Sequence, residues 1–314
     1  MKRDKRHWAI TAVLIAGFFF VLQRLFATGG QLSWHTLEWT PLLMALLFAI
    51  AQELTNPWIA KFSLRAVGRD ESYLRLLAIV TTSATSNAMI PLPAGIPLRI
   101  WLQQHWLSVP YATSVSAALI ESIVSYGILA VTAITSLLLW APDIFEATRS
   151  QAPWPLIAAV AVTIIVVAAL GARTLKHRGS ILIKELARSS RPSLKWAGLV
   201  ALIAALGILL AYWRLQCIGN ALPTSHIDWG LAFVGLVVSR LAGVVSMIPM
   251  GLGARDLSLG YFLVLAGVHP EIAATWATLD RIAMTVPYVA CGLASLPIVH
   301  RLRKSHQNRP PHFD

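Results

Sequence analysis

The feature that most limits how this chain can fold is a series of long apolar runs. Stretches 8–27, 41–60, 154–172, 196–217 and 271–298 each approach the ~20 residues a helix needs to cross the hydrocarbon layer of a bilayer. Backbone N–H and C=O groups have no water to bind in that layer, so only helices and closed barrels span it. The alternating ten-residue strands of an outer-membrane barrel are absent, which leaves helices. Composition agrees: 56% of the residues are hydrophobic, 13% are charged and the mean hydropathy is +0.65. Soluble domains carry about 25% charged residues. The expected fold is all-α, a polytopic membrane helix bundle forming a single transmembrane domain over residues 1–314.

The opening MKRDKRH followed by WAITAVLIAGFFFVLQRLFA resembles a secretory signal. No small-x-small cleavage site follows it, so it reads as an uncleaved first span. Cys217 and Cys291 lie in or beside apolar segments and form no C-x-x-C pair, which suggests neither a disulfide framework nor a metal site. The formal net charge of +12 sits in short clusters between apolar runs. Attraction to an anionic membrane surface explains that distribution better than nucleic acid does, and no nucleic-acid partner is expected.

Lys and Arg content also orients the loops. The N-terminus, the 61–75 loop, the 173–195 loop and the tail at 300–314 are basic and read as cytoplasmic, whereas 28–40, 141–151 and 218–229 are nearly free of Lys and Arg. Treating both 73–91 and 110–140 as simple spans would put the basic 173–195 loop outside. The count is repaired if 73–107 enters the membrane and returns to the side it left. TTSATSNAMIPLPAGIPLR, at 81–99, is too polar and too broken by Pro and Gly for a lipid-facing span, and such backbone is tolerated only inside protein or along a watery cavity. The same reasoning makes 230–268 re-entrant. About six full spans plus two re-entrant helical hairpins result, with both termini cytoplasmic, as expected of a multi-pass protein of a bacterial inner (cytoplasmic) membrane.

Two halves, 8–140 and 154–299, then share one order: span, span, broken hairpin, long Pro-started helix. MIPLPAG at 89–95 aligns with MIPMGLG at 247–253, VPYA at 109–112 with HPEI at 269–272, and LIESI at 119–123 with TLDRI at 278–282, at an offset of 158–160 residues. The first half begins inside and the second outside, so the repeats are inverted, a common design of secondary transporters.

Each charge inside an apolar helix costs about 2.5–3.5 kcal/mol on insertion scales and needs a partner or a task. The candidates are Glu53, Arg99, Glu121, Arg214, Arg240, Arg255, Asp256, Asp280 and Arg281. Gly251 and Gly253 allow a bend just before a helix expected to start near Ala254, where exposed N–H groups, the helix dipole and Arg255 would together suit a phosphate or carboxylate. Asp256 equally suits a helix cap pairing locally with Arg255. Arg240 lies too deep to snorkel and must either pair with Asp280 or Glu53 or meet an anion. Glu121 and Asp280 occupy matching depths in the two long helices and could hold arginines or relay protons. Arg281 has Ser122 as its counterpart, which weights an anion site towards the second half. Arg99 reads either as the first hairpin's equivalent of Arg255 or as an interfacial anchor near Trp101 and Trp106. Glu53, in AQELTNPW, reads as a capping or interface residue near a helix end. Most of the 12 tryptophans lie at predicted span ends, as interfacial belts do. Enzyme signatures such as G-x-S-x-G, H-E-x-x-H and G-x-x-x-x-G-K-[ST] are missing, so neither an enzyme nor a cofactor is expected.

The segment IPMGLGARDLSLGYFLVLAGVHPEIAATWATLDRIAMTVPYVACGLA resembles a block of the transmembrane domain of bacterial lysylphosphatidylglycerol synthases and their stand-alone flippase-like relatives. That block typically reads P-G-G-L-G-x-R-E, an aliphatic stretch, G-V, and a helix with an embedded Arg. Gly251, Gly253, Arg255, Asp256 (Asp for Glu) and Arg281 match. Of a first block, P-G-G-x-G with a nearby Arg, Pro93, Gly95 and Arg99 remain, and Pro97 departs from it. The resemblance implies a domain that moves a lipid, or part of one, between leaflets, with relatives beside hopanoid and glycolipid pathways. Only a short segment follows the last span, so no aminoacyl-transferring domain is expected. The substrate expected is an anionic or polyprenyl-phosphate-type membrane lipid held by Arg255, Arg240, Arg281 and Arg99. The alternatives are an accessory membrane subunit of a lipid- or glycolipid-modifying enzyme, with a lipid-synthesis enzyme as partner, and an ion or solute transporter. Self-association is compatible with each.

Overall fold

The computed structural model describes residues 37–89, 95–140, 193–222, 227–246, 251 and 253–307. The expected spans at 8–27 and 154–172 and most of the basic 173–195 loop lie outside them. The described residues form eight α-helices and no strand: α1 (Trp39–Ala66), α2 (Tyr73–Met89), α3 (Gly95–Leu107), α4 (Tyr111–Trp140), α5 (Leu194–Asn220), α6 (Trp229–Val245), α7 (Ala254–Leu265) and α8 (Pro270–Gln307).

Length separates these helices into two kinds. α1, α4 and α5, with 28, 30 and 27 residues, are long and apolar enough to cross a bilayer. α7 has 12 residues and α3 has 13, and at 1.5 Å per residue they reach only about 18–20 Å of a layer about 30 Å thick. α8 starts on Pro270, where the missing N–H costs nothing at a first helical position. It runs on to Gln307, so the basic residues Arg301, Arg303 and Lys304 continue the helix rather than beginning a separate tail.

The short helices are arms of two hairpins. Gly235 faces Phe262, Gly243 faces Gly251 and Arg255, and at the other end Asp228 donates its backbone N–H to the Ala266 carbonyl at 3.0 Å. α6 and α7 therefore run antiparallel, and the chain leaves this pair at the level where it entered. Asp228 caps α6 by accepting from the Leu231 N–H at 3.1 Å. In the first pair, Leu76 and Ile79 near the start of α2 share a core with Leu102, Leu107 and Val109 at the end of α3, which again brings entry and exit together.

Hairpin and long helix are exchanged between the halves. α2 packs along α8 while α6 packs along α4, and α1 and α5 meet over the most extensive contact in the bundle. Swapping α1–α4 for α5–α8 leaves the set of neighbouring helices unchanged except for the contact between α3 and α8. Small and hydroxylic residues set the α2–α8 approach: Thr85 Oγ1 donates to the Tyr288 carbonyl at 2.9 Å, Thr81 Oγ1 meets Ser295 Oγ at 3.0 Å, and Gly292 lies directly against Thr85. Apolar tails provide little drive for helices to associate, and close backbone approach with interhelical hydrogen bonds provides it instead.

The main apolar core joins α1, α5, α6, α7 and α8 through Ala45, Leu215, Leu236, Leu263 and Trp276. Trp276 is fully buried, and its Nε1 donates to the Leu215 carbonyl at 3.1 Å. Trp276 thus belongs to the core, whereas Trp39, Trp101 and Trp140 are exposed as an interfacial belt requires. At one end of α1, Lys61 lies over the Trp58 ring at 5.3 Å and Arg65 over Trp196 at 5.1 Å. Arg65 also donates to both oxygens of Asp70, which holds that carboxyl below its ordinary range.

Candidate functional site

Most of the charges that the sequence placed inside apolar helices find one another. Asp280 on α8 is fully buried and serves two arginines: Arg214 Nε on α5 donates to Oδ1 at 2.8 Å, and Arg255 Nη2 on α7 donates to Oδ2 at 2.8 Å. Arg214, itself 0% exposed, also donates to Gln52 Oε1 at 2.7 Å. One carboxylate thus ties α5, α7 and α8 together, and Gln52 adds α1. In the first half, Arg99 donates to Glu121 Oε1 at 2.8 Å and Oε2 at 2.5 Å. Glu121 and Asp280 therefore do the same work in the two halves, each holding the arginine that the second hairpin arm presents to the long helix.

Arg281 and Asp256 form a further pair, with Nη2 at 2.8 and 2.7 Å from the two carboxylate oxygens and Nε at 3.0 Å from Oδ1. Asp256 also accepts from the Gly253 N–H at 3.3 Å and so caps α7. Its cationic partner is Arg281 and not the adjacent Arg255, because successive helical residues point away from each other whereas α8 lies alongside. The cap and the ion pair pin the start of α7 to α8.

Gly251 and Gly253 shape that start. Both have positive φ, 65° and 81°. A Cβ at Gly251 would lie 2.6 Å from the Gly243 Cα, so the arms of the hairpin approach through bare backbone, whereas nothing lies within 4 Å of one at Gly253.

Two charges stay outside these pairs. Arg240, half-buried on α6, has no hydrogen bond or ion pair among the described residues. It lies within electrostatic reach of Arg214, Arg255, Asp280 and Tyr288. The sequence offered Asp280 or Glu53 as its partner, but Asp280 is taken by Arg214 and Arg255. Three guanidinium groups thus surround one carboxylate. Among the described residues, buried Glu53 accepts only from Asn56 Nδ2, at 3.2 and 2.9 Å. It stands mid-way along α1, with Pro57 inside the same helix, and not at a helix end as its proximity to proline suggested.

Arg240 faces a cavity of about 280 Å³. α1 contributes Gln52, Thr55, Asn56 and Ile59; α4 contributes Glu121, Ser122, Ser125, Tyr126 and Leu129; and Ile96 comes from the start of α3. The Ser125 hydroxyl is buried and has no partner among the described residues. Two of the lining side chains, Ile96 (48%) and Tyr126 (42%), are also exposed. The sequence reading missed these polar liners, yet they carry a signal. Residues 52, 55, 56 and 59 on α1 and 122, 125, 126 and 129 on α4 repeat one spacing of i, i+3, i+4, i+7, three polar residues and one apolar, on one face of a helix.

Apolar helices enclosing buried ion pairs and a polar cavity define a multi-pass integral membrane protein. The model of the lysylphosphatidylglycerol synthase transmembrane region matches residues 8–292, and the chain belongs to that family. The match takes in Glu53, Arg99, Glu121, Arg214, Arg240, Arg255, Asp256, Asp280 and Arg281. No curated protein matches the chain.

Proposed function

We propose that this protein carries an anionic membrane lipid between the leaflets of a bilayer, acting as a transporter and not as an enzyme. The observation that carries the reading is Arg240, a cation without a partner among the described residues, facing a polar cavity within the bundle. An uncompensated guanidinium costs several kcal/mol there, and an anionic headgroup removes that cost. Arg255, Arg281 and Arg99 support the site through their ion pairs, which fix α7 and α3 against the long helices.

Two features favour a lipid over a free solute. The cavity is smaller than the ~300–1,000 Å³ that encloses a whole drug-sized ligand, so it suits a headgroup whose tails remain outside. Two of its liners, Ile96 and Tyr126, are exposed apolar or aromatic side chains of the kind that acyl chains would meet. The exchange of neighbours between α1–α4 and α5–α8 supports an inverted repeat, with the two antiparallel hairpins re-entering from opposite sides and six full spans in all. The basic loops support both termini on the cytoplasmic side, and the resemblance to bacterial lysylphosphatidylglycerol synthases supports a bacterial inner membrane.

Liposomes containing the full chain and fluorescent lipids test the reading. Phosphatidylglycerol is expected to change leaflet at least tenfold faster than phosphatidylcholine. Equal rates, or no movement above protein-free liposomes, contradict it.

A further inference from the structure

Half of the polar side chains that line the cavity are already engaged by the protein itself. On α1, Thr55 Oγ1 donates to the Gln52 carbonyl at 2.6 Å, Gln52 Oε1 accepts from Arg214 at 2.7 Å, and Asn56 Nδ2 donates to Glu53. On α4, Glu121 accepts from both Nη atoms of Arg99. What is left over is the guanidinium of Arg240 and the hydroxyls of Ser122, Ser125 and Tyr126, none of which has a hydrogen-bond partner among the described residues. The three hydroxyls stand at i, i+3 and i+4 of α4 and so share one face of that helix. We propose that this row binds hydroxyl groups of the headgroup, so that the lipid carried is a phosphodiester with one negative charge and a hydroxyl-bearing headgroup, a glycerol or other polyol. This rests on the lipid-carrying reading above and names the class of headgroup.

The helix had the means to close this row and did not. Serine and threonine within a helix commonly donate to a carbonyl three or four residues earlier. Past the cavity on α4, Thr132 Oγ1 does so to Ile128 at 2.8 Å and Ser136 Oγ to Ala133 at 3.0 Å. Ser122 and Ser125 make no such bond. Ser114, near the start of α4, lacks one too, but it lies outside the cavity wall. The Ser125 hydroxyl is buried, and a buried hydroxyl is unfavourable until something bonds it. A ligand hydroxyl suits all three groups, because it donates and accepts whichever way a serine or tyrosine hydroxyl turns. It also suits the ends of the α1 amides that remain, the N–H groups of Gln52 and the carbonyl of Asn56.

The same arrangement sorts headgroups. An ammonium would add a second cation beside Arg240, and the carboxylate in the wall, Glu121, is held by Arg99. A doubly charged phosphate monoester would bring two negative charges to one unpaired guanidinium in a poorly solvated space. A bare phosphodiester balances the charge but leaves the hydroxyl row unbonded, at roughly twofold to tenfold in affinity for each hydrogen bond forgone.

Phosphatidylmethanol isolates the hydroxyls, because it has the phosphodiester charge of phosphatidylglycerol and none of its hydroxyl groups. With the full chain in liposomes and the label on an acyl chain, leaflet exchange of each lipid is measured above protein-free liposomes. Wild type is expected to move phosphatidylglycerol about fivefold to tenfold faster than phosphatidylmethanol. Tyr126→Phe should lower that ratio about twofold or more, and adding Ser122→Ala and Ser125→Ala should bring the two rates together. Equal rates for the two lipids in wild type overturn the proposal and leave the lipid reading standing, as does a wild-type ratio kept by the triple variant. Movement of neither lipid by wild type overturns both. If the triple variant does not fold, wild type and Tyr126→Phe decide the matter.

Discussion

Asp280→Ala is expected to destabilise the protein by about 3–5 kcal/mol, the usual cost of removing one partner from a buried charge pair. The reason is the number of cations that Asp280 satisfies. Its loss leaves Arg214, fully buried, and Arg255, 7% exposed, without a carboxylate, next to an Arg240 that already has none. Three guanidinium groups would then repel one another, and among the described residues Gln52 and the Met284 sulfur would be the hydrogen-bond partners left to two of them. Asp280→Asn should fare nearly as badly, because it keeps the shape and removes the charge. Adding Arg214→Met to Asp280→Ala should recover part of the loss, since one stranded cation goes with it. Thermal unfolding in detergent micelles measures all three. A single variant within about 1 kcal/mol of wild type would show that Asp280 is not the tie between α5, α7 and α8.

Gly251→Ala is expected to be the next most damaging change, at roughly 2–5 kcal/mol from two separate causes. A side chain at φ 65° costs about 1–2 kcal/mol. Its Cβ would also lie 2.6 Å from the Gly243 Cα, forcing the hairpin arms apart at the cost of an overpacked contact, about 1–3 kcal/mol. Gly253→Ala provides the control. With φ 81° and ψ −57° it too lies outside the regions open to a side chain, at about 1–3 kcal/mol, but nothing lies within 4 Å, so it carries no packing cost. Hydrogen exchange of α7 amides should rise more in Gly251→Ala than in Gly253→Ala. Equal effects would mean that the close approach of the arms contributes nothing.

How far the sequence revealed this arrangement depended on the kind of interaction. The helices were legible because bilayer thickness sets a length that the eye can count, and the breaks at MIPLPAG and MIPMGLG separated short arms from spans. The start of α7 at Ala254 followed from two glycines. The pairing of charges was less legible, because it depends on which helix lies alongside which. Asp256 stands beside Arg255 in sequence but across from Arg281 in space, and Asp280, ten residues into α8, collects arginines from two other helices. Arg240 was recognised as costly, but that it would be the one left over follows only once Asp280 has been spent elsewhere. Glu53 was misplaced because Pro57 suggested a helix end, whereas α1 carries proline in its interior. The cavity's polar lining was missed although its spacing repeats on α1 and α4, since scattered Gln, Thr, Asn and Ser draw less notice than charges.

Arg240, without a partner among the described residues and proposed to meet an anionic headgroup, should make stability and transport move in opposite directions. Arg240→Met removes an uncompensated charge from the bundle, so it should leave thermal stability unchanged or raise it, by up to the ~2.5–3.5 kcal/mol that a buried cation costs. The same variant, reconstituted into liposomes, should lose phosphatidylglycerol translocation at least tenfold, and Arg240→Lys should retain most of it. The measurement is leaflet exchange of labelled phosphatidylglycerol by wild type, Arg240→Met and Arg240→Lys at matched protein density. A folded Arg240→Met that moves the lipid as fast as wild type would contradict the account.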